Sequence, residues 1–104
     1  MDLRERIPAI MEKIDFERIH RVMTMLNWNW VSASEPIGFS VPSTLDIALA
    51  AERILVDCIT MWENEGRSRN GYYVSSGGFE ARIDCYDDGE ATLALSFQIE
   101  SADA

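Results

Sequence analysis

Thr44–Asn64, TLDIALAAERILVDCITMWEN, decides the fold of this 104-residue chain. Leu45, Ile47, Leu49, Ile54, Leu55, Val56, Ile59, Met61 and Trp62 cover most of a helical circumference. Asp46, Arg53, Asp57, Thr60 and Asn64 recur at helical spacing on what is left. A helix apolar around most of its girth must be covered on two sides. The expectation is a rod with a sheet on one flank, an N-terminal helix on the other, and only a narrow polar stripe facing water. A second copy of the chain could replace one cover, so a homodimer is open. The ends are marked too. Ser43 is placed to cap the rod, Asp46 three residues on imitates a capping box, and Gly66 stops it.

Downstream, Glu63 to Gly71 (ENEGRSRNG) reads as an exposed polar loop. Beyond it Phe79, Ala81, Ile83 and Cys85 alternate with Glu80, Arg82, Asp84 and Tyr86. Leu93, Leu95, Phe97 and Ile99 then alternate with Ala94, Ser96, Gln98 and Glu100, which is the pattern of a hairpin with one apolar face. A two-residue loop at Asp88-Gly89 would set Asp84 opposite Leu93 and put core residues against surface ones. A three-residue loop, Asp87-Asp88-Gly89, instead pairs Tyr86 with Glu90, Ile83 with Leu93, Ala81 with Leu95 and Phe79 with Phe97. That register requires Gly89 in the left-handed region, so Gly89→Val is expected to be badly destabilising.

Upstream, Asp2 can cap a short helix through Leu3, Ile7, Ile10 and Ile14, which Pro8 should bend or interrupt. A restart lies at Asp15, an N-cap with Ile14 and Ile19 as a hydrophobic staple. A stripe then runs through Phe16, Ile19, Met23 and Leu26. Asn27-Trp28-Asn29-Trp30 reads as a short strand with both tryptophans on one face, and Ser32 to Ser40 as a loop. The fold expected is α+β, one domain over residues 1–104. Two to three helices pack on one face of a small antiparallel sheet made of the Trp strand and the C-terminal hairpin. Residues 1–13 are a helical extension and 101–104 a disordered tail.

Net charge is −9, and residues 72–104 hold −6 of it, with Arg82 their single base. Such a surface repels nucleic acid and anionic lipid and attracts a basic protein surface. No apolar run approaches the ~20 residues of a membrane span, and Met1 to Arg6 opens no secretory signal. Cys58 and Cys85 both read as buried reduced thiols, so the chain is expected to be cytosolic.

Three groups of residues are candidates for function. Glu80, Asp84, Asp87, Asp88, Glu90 and Glu100 form an acidic set for partner binding; as solvated turn acids they match no calcium loop. Ser75-Ser76-Gly77-Gly78 could offer backbone amides to an anion, with Tyr72, Tyr73 and Trp28 stacking a base, or could simply be a strand entrance or bulge. His20, the single histidine, lacks the partners of a zinc or catalytic site and reads as a helix-surface residue. No metal, cofactor or enzymatic reaction is expected.

The segments Leu26-Asn27-Trp28-Asn29-Trp30, Val41-Pro42-Ser43, Ser75-Ser76-Gly77-Gly78-Phe79-Glu80-Ala81 and Leu93 to Glu100 resemble a loose group of small phage- and prophage-encoded proteins with an LNWxW … VPT … TGGFxA … LxFxLEE pattern. The resemblance covers about residues 14 to 100, departing at Ser76, where the group has Thr. It implies a phage-type accessory protein, a binder rather than an enzyme, and the expected partner is a host or phage protein with a basic surface, whose blocking could inhibit a bacterial defence system. It transfers no functional residue.

Overall fold

The computed structural model describes residues 2–25 and 43–97. A 3-10 helix at Leu3–Arg6 leads into α1 (Ile7–Glu12), α2 (Phe16–Met25) and α3 (Thr44–Asn64). Three strands follow: β1 (Tyr72–Ser76), β2 (Phe79–Cys85) and β3 (Ala91–Phe97). They form one antiparallel sheet in the order β1-β2-β3. α3 packs on all three strands and α1 and α2 pack on α3, so the fold is α+β.

Local chemistry sets the helix ends. The Ser43 hydroxyl accepts from the Asp46 amide at 3.1 Å, and the Asp46 carboxylate accepts from the Ser43 amide at 3.2 Å, completing the capping box. At the far end the Arg67 amide donates to the Trp62 carbonyl at 2.9 Å and the Gly66 amide to the Glu63 carbonyl at 3.0 Å. This pair of bonds is a Schellman closure, with Gly66 at φ +77°. Asp15 caps α2 as expected, accepting from the Arg18 amide at 3.0 Å. Pro8 does less damage than its position suggests. It falls in the first turn of α1, where its missing N–H has no helical acceptor to lose.

The hairpin takes the three-residue register. Ile83 sits opposite Leu93, Ala81 opposite Leu95 and Phe79 opposite Phe97. The Tyr86 amide donates to the Glu90 carbonyl at 2.9 Å, and Gly89 stands at φ +85°. The Phe79 and Phe97 rings pack 4.6 Å apart at a tilt of 54°. The third described strand is β1, where the sequence left Ser75–Gly78 open between a ligand-binding loop and a strand entrance or bulge. Ser76 pairs with Phe79, which leaves Gly77-Gly78 as a two-residue turn with φ of +58° and +90°. Positive φ at both positions is the type I′ geometry that suits hairpin twist. The Trp28–Trp30 strand, the 32–40 loop and the 101–104 tail lie outside the described residues.

The core is built on α3. Ile47, Ala51, Ile54, Leu55, Cys58, Ile59 and Trp62 are buried. At about 100° per residue they occupy one arc of about 140°. Cys58 Sγ lies 3.6 Å from the Ala81 carbonyl oxygen, which places the sheet on one side of that arc. From the other side, Arg4 donates to Thr60 Oγ1 at 3.2 Å and pairs with Glu63 at 2.7 Å. This corrects the expected arrangement. The two covers adjoin instead of facing each other, so Leu45 (67%), Leu49 (55%), Met61 (43%) and Val56 (36%) remain exposed. Cys85, expected to be buried, is half-buried; both cysteines are free thiols.

The loop after α3 is tied through one carbonyl. Ser68 O accepts from Trp62 Nε1 at 2.9 Å, from the Gly71 amide at 3.0 Å and from Cys85 Sγ at 3.5 Å. Gly71 is itself buried at φ +74°, and a Cβ there would overlap the Ile83 carbonyl oxygen. Gly89, by contrast, has open space around it. Gly71→Ala is therefore expected to cost roughly 3 kcal/mol, from backbone strain plus overlap, and Gly89→Ala only about 1 kcal/mol, from strain alone. Denaturant unfolding of the two variants checks this, and equal losses would contradict it.

Candidate functional site

The sheet has two unlike faces. Phe79, Ala81, Ile83, Leu93 and Phe97 point to the core and are buried. The outer face carries Tyr73 and Ser75 on β1, Glu80, Arg82 and Asp84 on β2, and Thr92, Ala94 and Ser96 on β3, as strict alternation along each strand dictates. The expected acidic residues thus divide into two sets. Glu80 and Asp84 are half-buried on the outer face, while Asp87, Asp88 and Glu90 are exposed at the β2–β3 tip. Asp88 also serves the turn, its carboxylate accepting from the Glu90 amide at 2.9 Å. Glu100 and Trp28 lie outside the described residues.

One base interrupts the acidic row. Arg82 Nε donates to Asp84 Oδ1 at 2.9 Å, with the side chains 61% and 41% exposed. A pair this open to water contributes little stability, but it cancels charge where the row would otherwise be uniformly negative.

The tyrosines separate. Tyr72 is half-buried on the inner face and Tyr73 is 70% exposed on the outer one. A hollow of about 260 Å³ is lined by Tyr72, Tyr73, Glu80, Arg82 and Ile83. Gly77 and Gly78 are not among its walls. They lie four and five residues beyond Tyr73, about 13 Å or more along the strand. The structure therefore brings Tyr73 to Arg82 and Glu80, not to the Gly77-Gly78 turn.

A second cavity, about 190 Å³, opens between the chain's first turn, the end of α3 and the hairpin tip, with Arg6, Trp62, Glu63, Arg67 and Glu90 among its walls. Trp62, Glu63 and Arg67 are neighbours in sequence, but nothing local joins them to Arg6 or Glu90. Arg67 is held at φ +56°, unusual for a residue with a Cβ, and its guanidinium lies 5.8 Å from the centre of the Trp62 ring. Glu63 pairs with Arg4 at 2.7 Å and with Arg67 at 3.3 Å.

His20 is half-buried on α2, and its carbonyl accepts from Thr24 Oγ1 at 2.9 Å. Among the described residues no cluster of three or more His, Cys, Asp or Glu side chains could hold a metal ion. Burial pushes the Cys58 thiol up to about 11, which leaves it protonated and a poor nucleophile near neutrality. No helix among the described residues is long and apolar enough to cross a membrane. The chain matches no protein-family model, no curated protein and no solved structure.

The Arg4 hydrogen bond holds the Glu63 carboxyl below the usual carboxylate range; partial desolvation opposes it, and the charges of Arg4 and Arg67 reinforce it. A depressed folded-state pKa contributes stability above the unfolded value, and that contribution is lost as pH falls through the folded one. Glu63→Gln should therefore melt below the wild type at pH 7, and the gap should close as pH falls from about 5 towards 3. A gap that stays constant to pH 3 contradicts the assignment.

Proposed function

We propose that this protein is a small acidic accessory protein of phage type that acts by binding another protein. Its partner is a host or phage protein with a basic surface, met by the acidic hairpin: Asp87, Asp88 and Glu90 at the tip, with Glu80, Asp84 and Glu100. The supporting observation is the exposure of the tip acids at the end of a paired ribbon, within a segment that carries −6 of the net −9. Carboxylates so displayed attract a cationic surface and accelerate encounter with it. In the fuller form of this reading the acids imitate a row of phosphates, block a basic nucleic-acid channel and inhibit a bacterial defence system. The protein is then a binder, not an enzyme, and works in the cytoplasm of the host cell.

Arg82 bears directly on the mimicry, since it is the one cation in the row. Affinity capture from bacterial lysate should return a basic protein, with capture falling steeply from roughly 0.05 to 0.3 M salt. A triple variant, Asp87→Asn, Asp88→Asn and Glu90→Gln, should lose it, and Arg82→Gln should strengthen it. Capture that ignores both salt and the triple variant contradicts the proposal. A second reading, binding of a nucleotide or other small ligand, is favoured by the hollow where Tyr73 and Arg82 meet. A nucleotide at about 100 times its dissociation constant would add roughly 2.7 kcal/mol of stability, readily seen as a thermal shift. The absence of any shift removes that reading.

A further inference from the structure

Leu45, Leu49 and Val56 are exposed, and at about 100° per residue they fall within about 40° of one another on α3. They make an apolar stripe on the side of the helix turned away from the buried arc. Among the described residues nothing covers Leu45 or Leu49, both more than half exposed. The charges beside the stripe show what fits it. Asp46 and Arg53 are both exposed, and they stand within about 20° of each other on the same flank, seven residues apart.

Two copies of α3 packed antiparallel about a two-fold axis keep each flank on its own side of the interface. With the axis between Leu49 and Ala50, Leu49 of one copy meets Leu49 of the other. Asp46 and Arg53 then lie about 5 Å on either side of the axis. Each Arg53 is thereby brought level with Asp46 of the second copy, twice over by symmetry. The capping box engages Asp46 Oδ2, which leaves Oδ1 to accept from that guanidinium. A parallel pairing sets like residues side by side and forms neither ion pair.

We infer that the Leu45–Leu49–Val56 stripe is the contact face of an antiparallel homodimer, registered by reciprocal Asp46–Arg53 ion pairs. The inference rests on α3 alone and is independent of what the acidic hairpin binds. The stripe is short, and net charge opposes association, so the dimer is a weak one that forms with rising concentration.

Sedimentation equilibrium of the full chain from roughly 10 μM to 1 mM should show the mass rising from 11.8 kDa towards twice that value. Leu49→Asp should hold the mass at the monomer value without changing the circular dichroism spectrum, and Arg53→Glu should weaken association about tenfold. Under mild oxidation Leu49→Cys should crosslink to a dimer, while the wild type and Tyr73→Cys, on the outer sheet face, should not. A wild type that stays monomeric at 1 mM overturns the inference. That includes the case in which Leu49→Asp merely lowers the melting temperature, the sign that residues of the same chain cover the stripe. A dimer that survives Leu49→Asp, or that crosslinks through Tyr73→Cys instead, overturns it equally.

Discussion

Every layer of this molecule depends on the burial of one arc of α3. Ile47, Ala51, Ile54, Leu55, Cys58, Ile59 and Trp62 serve the sheet with one edge of that arc and the N-terminal helices with the other. Three short strands have too little apolar area of their own to stand alone in water, and a six-residue helix such as α1 has less. Each becomes stable by covering part of α3. The near-complete burial of Ile47, Leu55, Cys58 and Ile59 shows where these contributions concentrate.

That arrangement decides where charge can go. The inner face of the sheet is committed to α3, so the acids of β2 must lie on the outer face or at the tip. The order β1-β2-β3 sets β2 in the centre, with Glu80 between Ser75 and Ser96, Arg82 between Tyr73 and Ala94, and Asp84 opposite Thr92. The end of α3 meets the chain's first turn through an ion-pair group, Arg4–Glu63–Arg67, placed beside Trp62. Among the described residues no buried side-chain nitrogen or oxygen lacks a hydrogen-bond partner. The polar groups thus form the rim of the fold, and apolar contact forms its centre.

Much of the fold was legible because its signals are local. The capping box at Ser43 and Asp46, the stop at Gly66 and the alternation through Phe79–Cys85 each lie within a few residues, and the hairpin register follows from matching inward side chains. The strand β1 was missed although its signal was present: Gly77-Gly78 permits a type I′ turn, but five residues ending in two serines look like loop. The half-open state of α3 was not legible, because an apolar composition does not say which apolar residues find a cover. The acidic tip could be read directly. The parting of Tyr73 from the glycines and the placing of Arg6 and Arg67 around one cavity could not, since they depend on strand formation and on the approach of the first turn to the end of α3.

Native-state hydrogen exchange tests the central role of the arc most directly. If α3 holds both layers, the amides of Leu55, Cys58 and Ile59 should open only with the whole molecule, and those of Ala81 and Ile83 should share their free energy and denaturant dependence. Sheet amides that keep their protection after those of α3 have exchanged would contradict the account.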